Sequence, residues 1–304
     1  MTARSLNELA RSVAASAKRA IGSTRRRFQR RWMLRRFPTD GFAPTQLDQN
    51  TPLDRLDDES LAVVNQLLPW QCFTTDVLGR RLGAPAWSGK RTKPQSIPDR
   101  RIVELDTRFD LCNKSVLEVG CFEGVHTLGL LQYTSSVTAV DARIENVLKT
   151  SARCALYGYH PAVLQCNVES PDARRENLSA DVVHHVGVLY HLLDPVTHLL
   201  DVGRWARRGL MLDTHYAVST DDFYIVDGER FEVRRYAEHG RDEVFSGVHA
   251  IARWLPLPTI IDLLERGGLD RVEVAEDRAE RNGRRVLLFA ERSSAPEQPQ
   301  IPGH

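Results

Sequence analysis

Two short stretches carry groups able to move a proton: V-G-V-L-Y-H, which ends on Tyr190 and His191, and L-D-T-H, which holds Asp213 and His215. An imidazole titrates near neutrality, so His191 can act as general base on a hydroxyl or an amine. A carboxylate near a histidine raises the imidazole's pKa and orients it, which is the role Asp213 would play for His215. Two plainer roles compete, a histidine that scaffolds a loop and residues that cap a strand end. Tyr190, His191, Asp213 and His215 are the candidate catalytic residues, with both readings open. His184, His185 and His191 also suggest a metal, but neighbours on a strand point to opposite faces, so His184 and His185 cannot both bind one ion. No metal site is expected.

These groups need a scaffold that brings distant stretches to one edge. Asp181 to Val186 and Gly209 to Leu212 read as buried strands, and in an open parallel sheet ligands bind in the crevice beyond the carboxyl ends of the strands. Val116 to Val119 form a further apolar run, broken by Gly120 and Gly124, after which apolar residues fall at helical spacing from Val125. A glycine-bounded turn between strand and helix lets a ligand approach the backbone. Ser136 to Val140 read as the next strand and end on Asp141, about twenty residues after the first glycine, where such folds accept hydrogen bonds from ribose hydroxyls. The spacing locates a nucleoside without naming the cofactor. Ile144 to Tyr157 read as a helix and Ala162 to Cys166 as a strand, followed by Asn167 and Val168, suited to an adenine edge and face or to an ordinary turn.

E-V-G-C-F-E-G with Asp141, and D-V-V-H-H-V-G-V-L-Y-H-L-L-D-P from Asp181 to Pro195, resemble a class I S-adenosylmethionine-dependent methyltransferase. The second motif, G-V-L-Y-H-x-x-x-P, is similar to a subgroup that includes the wobble-uridine tRNA carboxymethyltransferases along with many small-molecule methyltransferases. The resemblance runs from Ile97 to Arg292. It implies an α/β fold, a Rossmann-like seven-stranded mostly parallel sheet with N-terminal helices and an inserted cap after the fifth strand. It also implies S-adenosyl-L-methionine held by Glu118, Gly120, Cys121, Phe122, Gly124, Asp141, Ala142, Asn167, Val168 and Gly187, with the sulfonium methyl facing Tyr190 and His191. Phe122 stands where the family's middle glycine belongs, so its side chain must point away from the cofactor.

With 304 residues, 42% of them apolar, the chain suffices for one large α/β domain and appendages, and its net charge of +1 gives no global attraction to nucleic acid. Five cysteines without a C-x-x-C pair indicate neither a zinc ribbon nor a disulfide framework, so the cytoplasm is the simplest setting. No run is long and apolar enough to span a membrane. The expected organisation is a basic extension over 1–44, a helical region and loop over 45–96, the methyltransferase domain over 97–292 and a disordered tail over 293–304. The Arg-rich extension suits an anionic membrane surface, RNA phosphates or a transit peptide, against a plain solvated helix. Leu53 to Leu82 carry a helical pattern, and the loop after it places Trp87 beside Lys90, Arg91 and Lys93. An insertion over 216–255 would cap the methyl donor, with a hairpin around Asp227–Gly228 and with His239, His249, Arg253 and Trp254 as candidate substrate residues, Trp254 being equally suited to a core. The expected function is methyl transfer to an oxygen or nitrogen of a small-molecule acceptor, a sugar or specialised metabolite. A tRNA-modifying methyltransferase or carboxymethyltransferase and an inactive cofactor-binding partner subunit are the alternatives, RNA being the less favoured partner.

Overall fold

The computed structural model describes residues 51–83, 93–174 and 178–293. The basic extension, the stretch holding Trp87, Lys90 and Arg91, and the tail from residue 294 lie outside the described residues. The chain divides into two units, Met1–Ser96 and Ile97–His304.

In the first unit, α1 (Asp58–Leu67) starts at Asp57, whose carboxylate accepts the Ser60 amide at 2.7 Å, with Asp58 and Glu59 complementing the helix dipole. The helical pattern expected as far as Leu82 stops here. β1 (Phe73–Thr75) and β2 (Arg81–Gly83) pair antiparallel instead. Pro69 cannot continue a helix, and Asp76 Oδ1 accepts the amides of Leu78 and Arg80 at 2.9 and 2.7 Å, which closes a tight turn. Asn65 ties the helix to this hairpin through the Arg81 carbonyl and the Gly83 amide.

The second unit follows α2 (Arg100–Phe109), β3 (Val116–Val119), α3 (Val125–Leu130), β4 (Val137–Asp141), α4 (Ile144–Leu156), β5 (Ala162–Gln165), β6 (Ala180–Val186), α5 (Pro195–Trp205) and β7 (Ala206–His215). It continues through β8 (Asp222–Val226), β9 (Glu229–Ala237), β10 (Ile251–Trp254), α6 (Leu257–Arg266), β11 (Arg271–Glu280) and β12 (Gly283–Glu291). Seven strands form one sheet in the order β11-β12-β7-β6-β3-β4-β5. β5, β4, β3, β6 and β7 are parallel, and β12 and β11 close the edge as an antiparallel hairpin. The strand order switches at β3 and β6, so the crevice opens where Gly120 and Gly187 follow those strands.

The run V-L-E-V is wholly buried because helices cover both faces of a parallel sheet. Leu117, Val119, Val183, Leu210 and Leu212 pack with Leu199 and Val202 of α5 and Leu263 and Leu264 of α6 in one core. His184 and His185 fall on opposite faces, as strand alternation requires: His185 Nε2 lies 2.9 Å from His198 Nε2, while His184 faces Glu118 and His126.

The insertion is a three-stranded sheet, β10-β9-β8. Asp227 and Gly228, with φ of 50° and 84°, make the hairpin turn read from D-G. β10 was not foreseen, since I-A-R-W is too short for its alternation to stand out. Among the described residues no helix is long and apolar enough to cross a membrane.

Candidate functional site

The turn after β3 is held from three sides. Gly120 and Cys121 donate their amides to the Val140 carbonyl at 2.9 and 3.1 Å, and Phe122 donates its amide to Asp141 Oδ2 at 3.1 Å. Below the turn, buried Glu123 pairs with Lys149 at 2.9 Å and Arg153 at 3.7 Å, and the Arg153 Nε donates to the Glu123 carbonyl. Gly120 has φ +81°, and a Cβ there would stand 2.2 Å from Val188 Cγ2, so the loop after β6 passes directly over the turn. Only glycine fits both demands.

These residues fit a nucleoside cofactor. Asp141 accepts three hydrogen bonds, from the amides of Phe122 and Arg143 and from Asn146 Nδ2, which leaves about one of a carboxylate's four lone-pair sites for a ribose hydroxyl. Burial raises its pKa, and those three donors oppose the rise. Phe122 takes φ +51°, the conformation a glycine would supply, and its ring meets that of Phe245 at 5.7 Å. The side chain is thus committed to the cap. Glu118 is 1% exposed, and burial pushes its carboxyl up to about 8, against a 2.5 Å hydrogen bond from Thr127 Oγ1. Cys121 is buried with its sulfur 3.3 Å from Thr150 Oγ1. Asn167 Oδ1 accepts the Glu169 amide at 3.2 Å in a turn, and Val168 packs against the main core. Ala142 is partly exposed at the end of β4, and Gly187, φ +77°, donates its amide to the Asp213 carbonyl.

At the opposite side of the crevice the loop carries Tyr190 and His191 on a 3-10 turn, Leu189–His191. His191 Nδ1 lies 2.6 Å from Oε1 of Glu238, just past β9. Nδ1 is therefore the nitrogen that donates to the carboxylate, and in the neutral ring this tautomer makes Nε2 the acceptor. Glu238 Oε2 is held in turn by Ser246 Oγ and by the Gly247 amide at 3.2 Å. Burial would raise the Glu238 carboxyl, but the His191 contact, with Ser246 and Gly247, holds it below its ordinary value. The pair has the geometry of an imidazole oriented by a carboxylate, with the histidine 19% exposed and the acid 4%. Sequence reading missed Glu238, because its partner lies 47 residues upstream.

The other expected pairing does not form. Asp213 is 0% exposed and bound by Arg278 at 2.8 Å, by Arg101 at 3.1 Å and by Arg285. Burial would raise its carboxyl, but Arg285, Arg101 and Arg278 together hold it below the usual range. His215 instead meets the Arg284 carbonyl with Nδ1 at 3.0 Å, its Nε2 stands 3.9 Å from Glu280, and burial lowers its pKa. Neither group reaches the crevice as a base, since Asp213 is enclosed by cations and His215 is stacked at 5.1 Å on Trp254.

Trp254 is likewise a post, not an open wall. It is 1% exposed, donates its indole N–H to the Tyr190 carbonyl at 2.8 Å, and stacks on Tyr236 at 4.5 Å. Arg253 binds the Leu193 carbonyl and lies over the Tyr224 ring, so it fastens the cap to the loop. His249 remains 40% exposed, with Nε2 at 3.3 Å from buried Glu169, while His239 is exposed. Tyr190 is half-buried, its ring 4.2 Å from His191 and 5.5 Å from the Arg285 guanidinium, and burial raises its pKa.

A family profile described as a methyltransferase domain matches residues 117–212, which span the cofactor turn, the Tyr190–His191 loop and most of β7. A tRNA U34 carboxymethyltransferase of Wolinella succinogenes is 25% identical over 205 residues, 63% of this chain and 65% of that protein. Its counterpart in Methylococcus capsulatus is 34% identical over 108 residues, 34% of this chain and 33% of its own. The chain thus spans under two thirds of the length of these curated relatives. The N-terminal domain of EvdMO1, solved with SAH bound, superposes with a TM-score of 0.65 at 25% identity, covering 78% of this chain and 98% of that domain. With the sheet order, the turn and the strand-end acid, these likenesses make the chain similar to class I S-adenosylmethionine-dependent methyltransferases, the tRNA U34 carboxymethyltransferases among them, with the match to the methyltransferase domain lying over residues 117–212.

Proposed function

We propose that the chain transfers a methyl group from S-adenosylmethionine to an oxygen of a small-molecule acceptor, a sugar or another specialised metabolite, with nitrogen as the less demanding alternative. The observation that carries this reading is the His191–Glu238 pair at the crevice. An alcohol keeps its proton at neutral pH, so it profits from a base, whereas a neutral amine does not need one to react. When bound, S-adenosylmethionine supplies an electrophilic methyl on a positively charged sulfur. Gly120, Phe122 and Asp141 hold the nucleoside end at the carboxyl edge of β3 and β4. His191 Nε2 takes the acceptor's proton as its oxygen becomes the nucleophile. Glu238 steadies the imidazolium that results, through the Nδ1–H bond, in the manner of an acid behind a catalytic histidine. Tyr190, fixed by Trp254 and Arg285, sets the loop in register with the turn. Much of the rate comes from holding acceptor and donor in line. A cytoplasmic location is part of the same proposal.

Transfer to tRNA is the second reading. Five curated relatives bear the name tRNA U34 carboxymethyltransferase, which favours it, although the chain covers only part of each.

Calorimetric titration with S-adenosylmethionine, S-adenosylhomocysteine and NAD comes first, on wild type and on Asp141→Ala. Binding of the first two, weakened at least about tenfold in the variant, is the expected result, because the ribose acid is lost. Release of S-adenosylhomocysteine is then followed with a sugar panel and with tRNA. Cofactor binding without turnover of any sugar, but with tRNA turnover, would replace the first reading by the second. Binding of both sulfur compounds without turnover of any sugar or of tRNA would leave the inactive cofactor-binding partner subunit, and no binding of either would overturn all three readings.

A further inference from the structure

Arg143 follows the ribose acid Asp141 by two residues, and its guanidinium reaches into the cap. Nη1 lies 2.8 Å from the Arg241 carbonyl. Nη2 lies 3.0 Å from the carbonyls of Gly240, Glu243 and Ser246 and 3.3 Å from that of Gly247. One side chain therefore gathers five carbonyls of a loop whose regular structure is a single 3-10 turn, Gly240–Asp242. The two N–H groups of Nη2 are shared among four of these carbonyls and Nη1 serves the fifth, so the planar fork spreads its donors along the loop; an ammonium, with a compact charge, cannot span the same arc. The backbone amide of Arg143 meanwhile donates to Asp141 Oδ1 at 2.9 Å.

The gathered loop touches the site at three points. Phe245 meets the Phe122 ring of the cofactor turn. Ser246 Oγ and the Gly247 amide hold Glu238 Oε2. Gly247 lies so close to the base that a Cβ there would stand 2.5 Å from the His191 carbonyl oxygen. The strand end that holds the nucleoside and the acid that orients the base are thus joined through one guanidinium.

We propose that Arg143 is a positioning residue for the transfer: by locking the 240–247 loop it holds Glu238 on His191 and ties the base to the nucleoside end of the site. Its meaning for catalysis rests on the methyl-transfer reading; the lock itself does not. The Arg241 and Glu243 carbonyls are exposed and those of Gly240, Ser246 and Gly247 partly buried, so on removal of the guanidinium water reaches the first two directly and the others as the loop opens, and the fold survives while the loop loses its order.

The test uses the full chain without ligand. Amide hydrogen exchange over 238–247 is expected to quicken at least about tenfold in Arg143→Ala, with β3, β4 and β6 unchanged. The downfield proton resonance of the short His191 Nδ1–H bond is expected in wild type and lost in Arg143→Ala, as it is in Glu238→Gln. Arg143→Lys keeps charge and stem, and is expected to quicken exchange to a smaller degree; should the alanine variant not fold, this one decides. Unchanged exchange in the variant that folds overturns the proposal, and so does quickened exchange with the Nδ1 proton retained. Failure of wild type to bind S-adenosylhomocysteine would refute the cofactor reading and leave these exchange results standing.

Discussion

Glu238→Gln isolates the orienting role of the acid. A glutamine amide offers one acceptor oxygen and one donor nitrogen, where the carboxylate offers two acceptors. The Gly247 amide, 3.2 Å from Oε2, is a backbone donor that cannot rotate, so it claims the oxygen. The amide nitrogen then faces His191 Nδ1, 2.6 Å from Oε1 in the wild type. Two N–H groups cannot face each other, so Nδ1 becomes the acceptor and the imidazole proton moves to Nε2. That is the nitrogen that must take the acceptor's proton. General bases contribute about 10²–10⁴ in rate, so the variant should lose about 3–5 kcal/mol of transition-state stabilisation. Stability should change by only about 1 kcal/mol, because the hydrogen bonds are redirected and not removed. The assay is the initial rate of S-adenosylhomocysteine formation at saturating cofactor, with calorimetric binding of the same compound as control. A rate within about threefold of wild type, with binding intact, would refute the argument and return His191 to the role of loop scaffold.

Two further predictions concern buried charge. Asp213→Asn leaves Arg101, Arg278 and Arg285 without the anion they share, and breaking such a buried pair costs about 3–5 kcal/mol; chemical denaturation showing a loss under about 1 kcal/mol would mean that neighbouring carboxylates already balance the cluster. Stability should also fall with acid. Burial, reinforced for His184 by His126 and Arg101 and for His185 by His198, holds His184 and His185 well below the ordinary 6.5, and burial lowers His198 to about 3. An unfolded chain protonates all three below pH 6.5 while the folded one does not, so each removes about 1.4 kcal/mol per pH unit on descending from there. Glu118 acts in the other direction, since its folded carboxyl keeps its proton up to about 8 and the unfolded one only to 4.5, so stability declines as pH rises through that interval. Denaturation midpoints at pH 7, 6 and 5 that do not fall would show that water or a partner reaches the histidines.

The turn expected to hold the cofactor was legible because its signals are local. V-L-E-V, the two glycines and Asp141 sit within one strand-turn-helix-strand unit, and the β3 and β4 registers leave the acid beside the turn. The same locality misled elsewhere. Leu53 to Leu82 keep a helical hydrophobic rhythm, yet Asp76 and Gly79 bend the end of that segment into a hairpin that no periodicity records. Asp213 and His215 looked like an acid and its histidine because they stand two apart on one strand. The acid's actual partners come from α2, β11 and β12, 112, 65 and 72 residues away, and three arginines so dispersed leave no mark in a linear pattern.

The cap shows why the acceptor side was harder to read. Aromatic residues in an insertion over a crevice suggest a pocket wall, yet Trp254 is enclosed by Tyr236, His215 and Tyr190 and spends its indole N–H on the loop carbonyl. That burial is what lets the cap carry charge at a fixed place: with β10 fastened to the 190–193 loop, Glu238 at the end of β9 arrives beside His191 without a wide choice of position. With His191 on the loop after β6 and Glu238 on the cap, neither element holds the pair alone. Exchanging β8–β10 between chains of this fold should therefore move both acceptor preference and the strength of the base, while cofactor affinity stays with the turn at Gly120 and the carboxylate at Asp141.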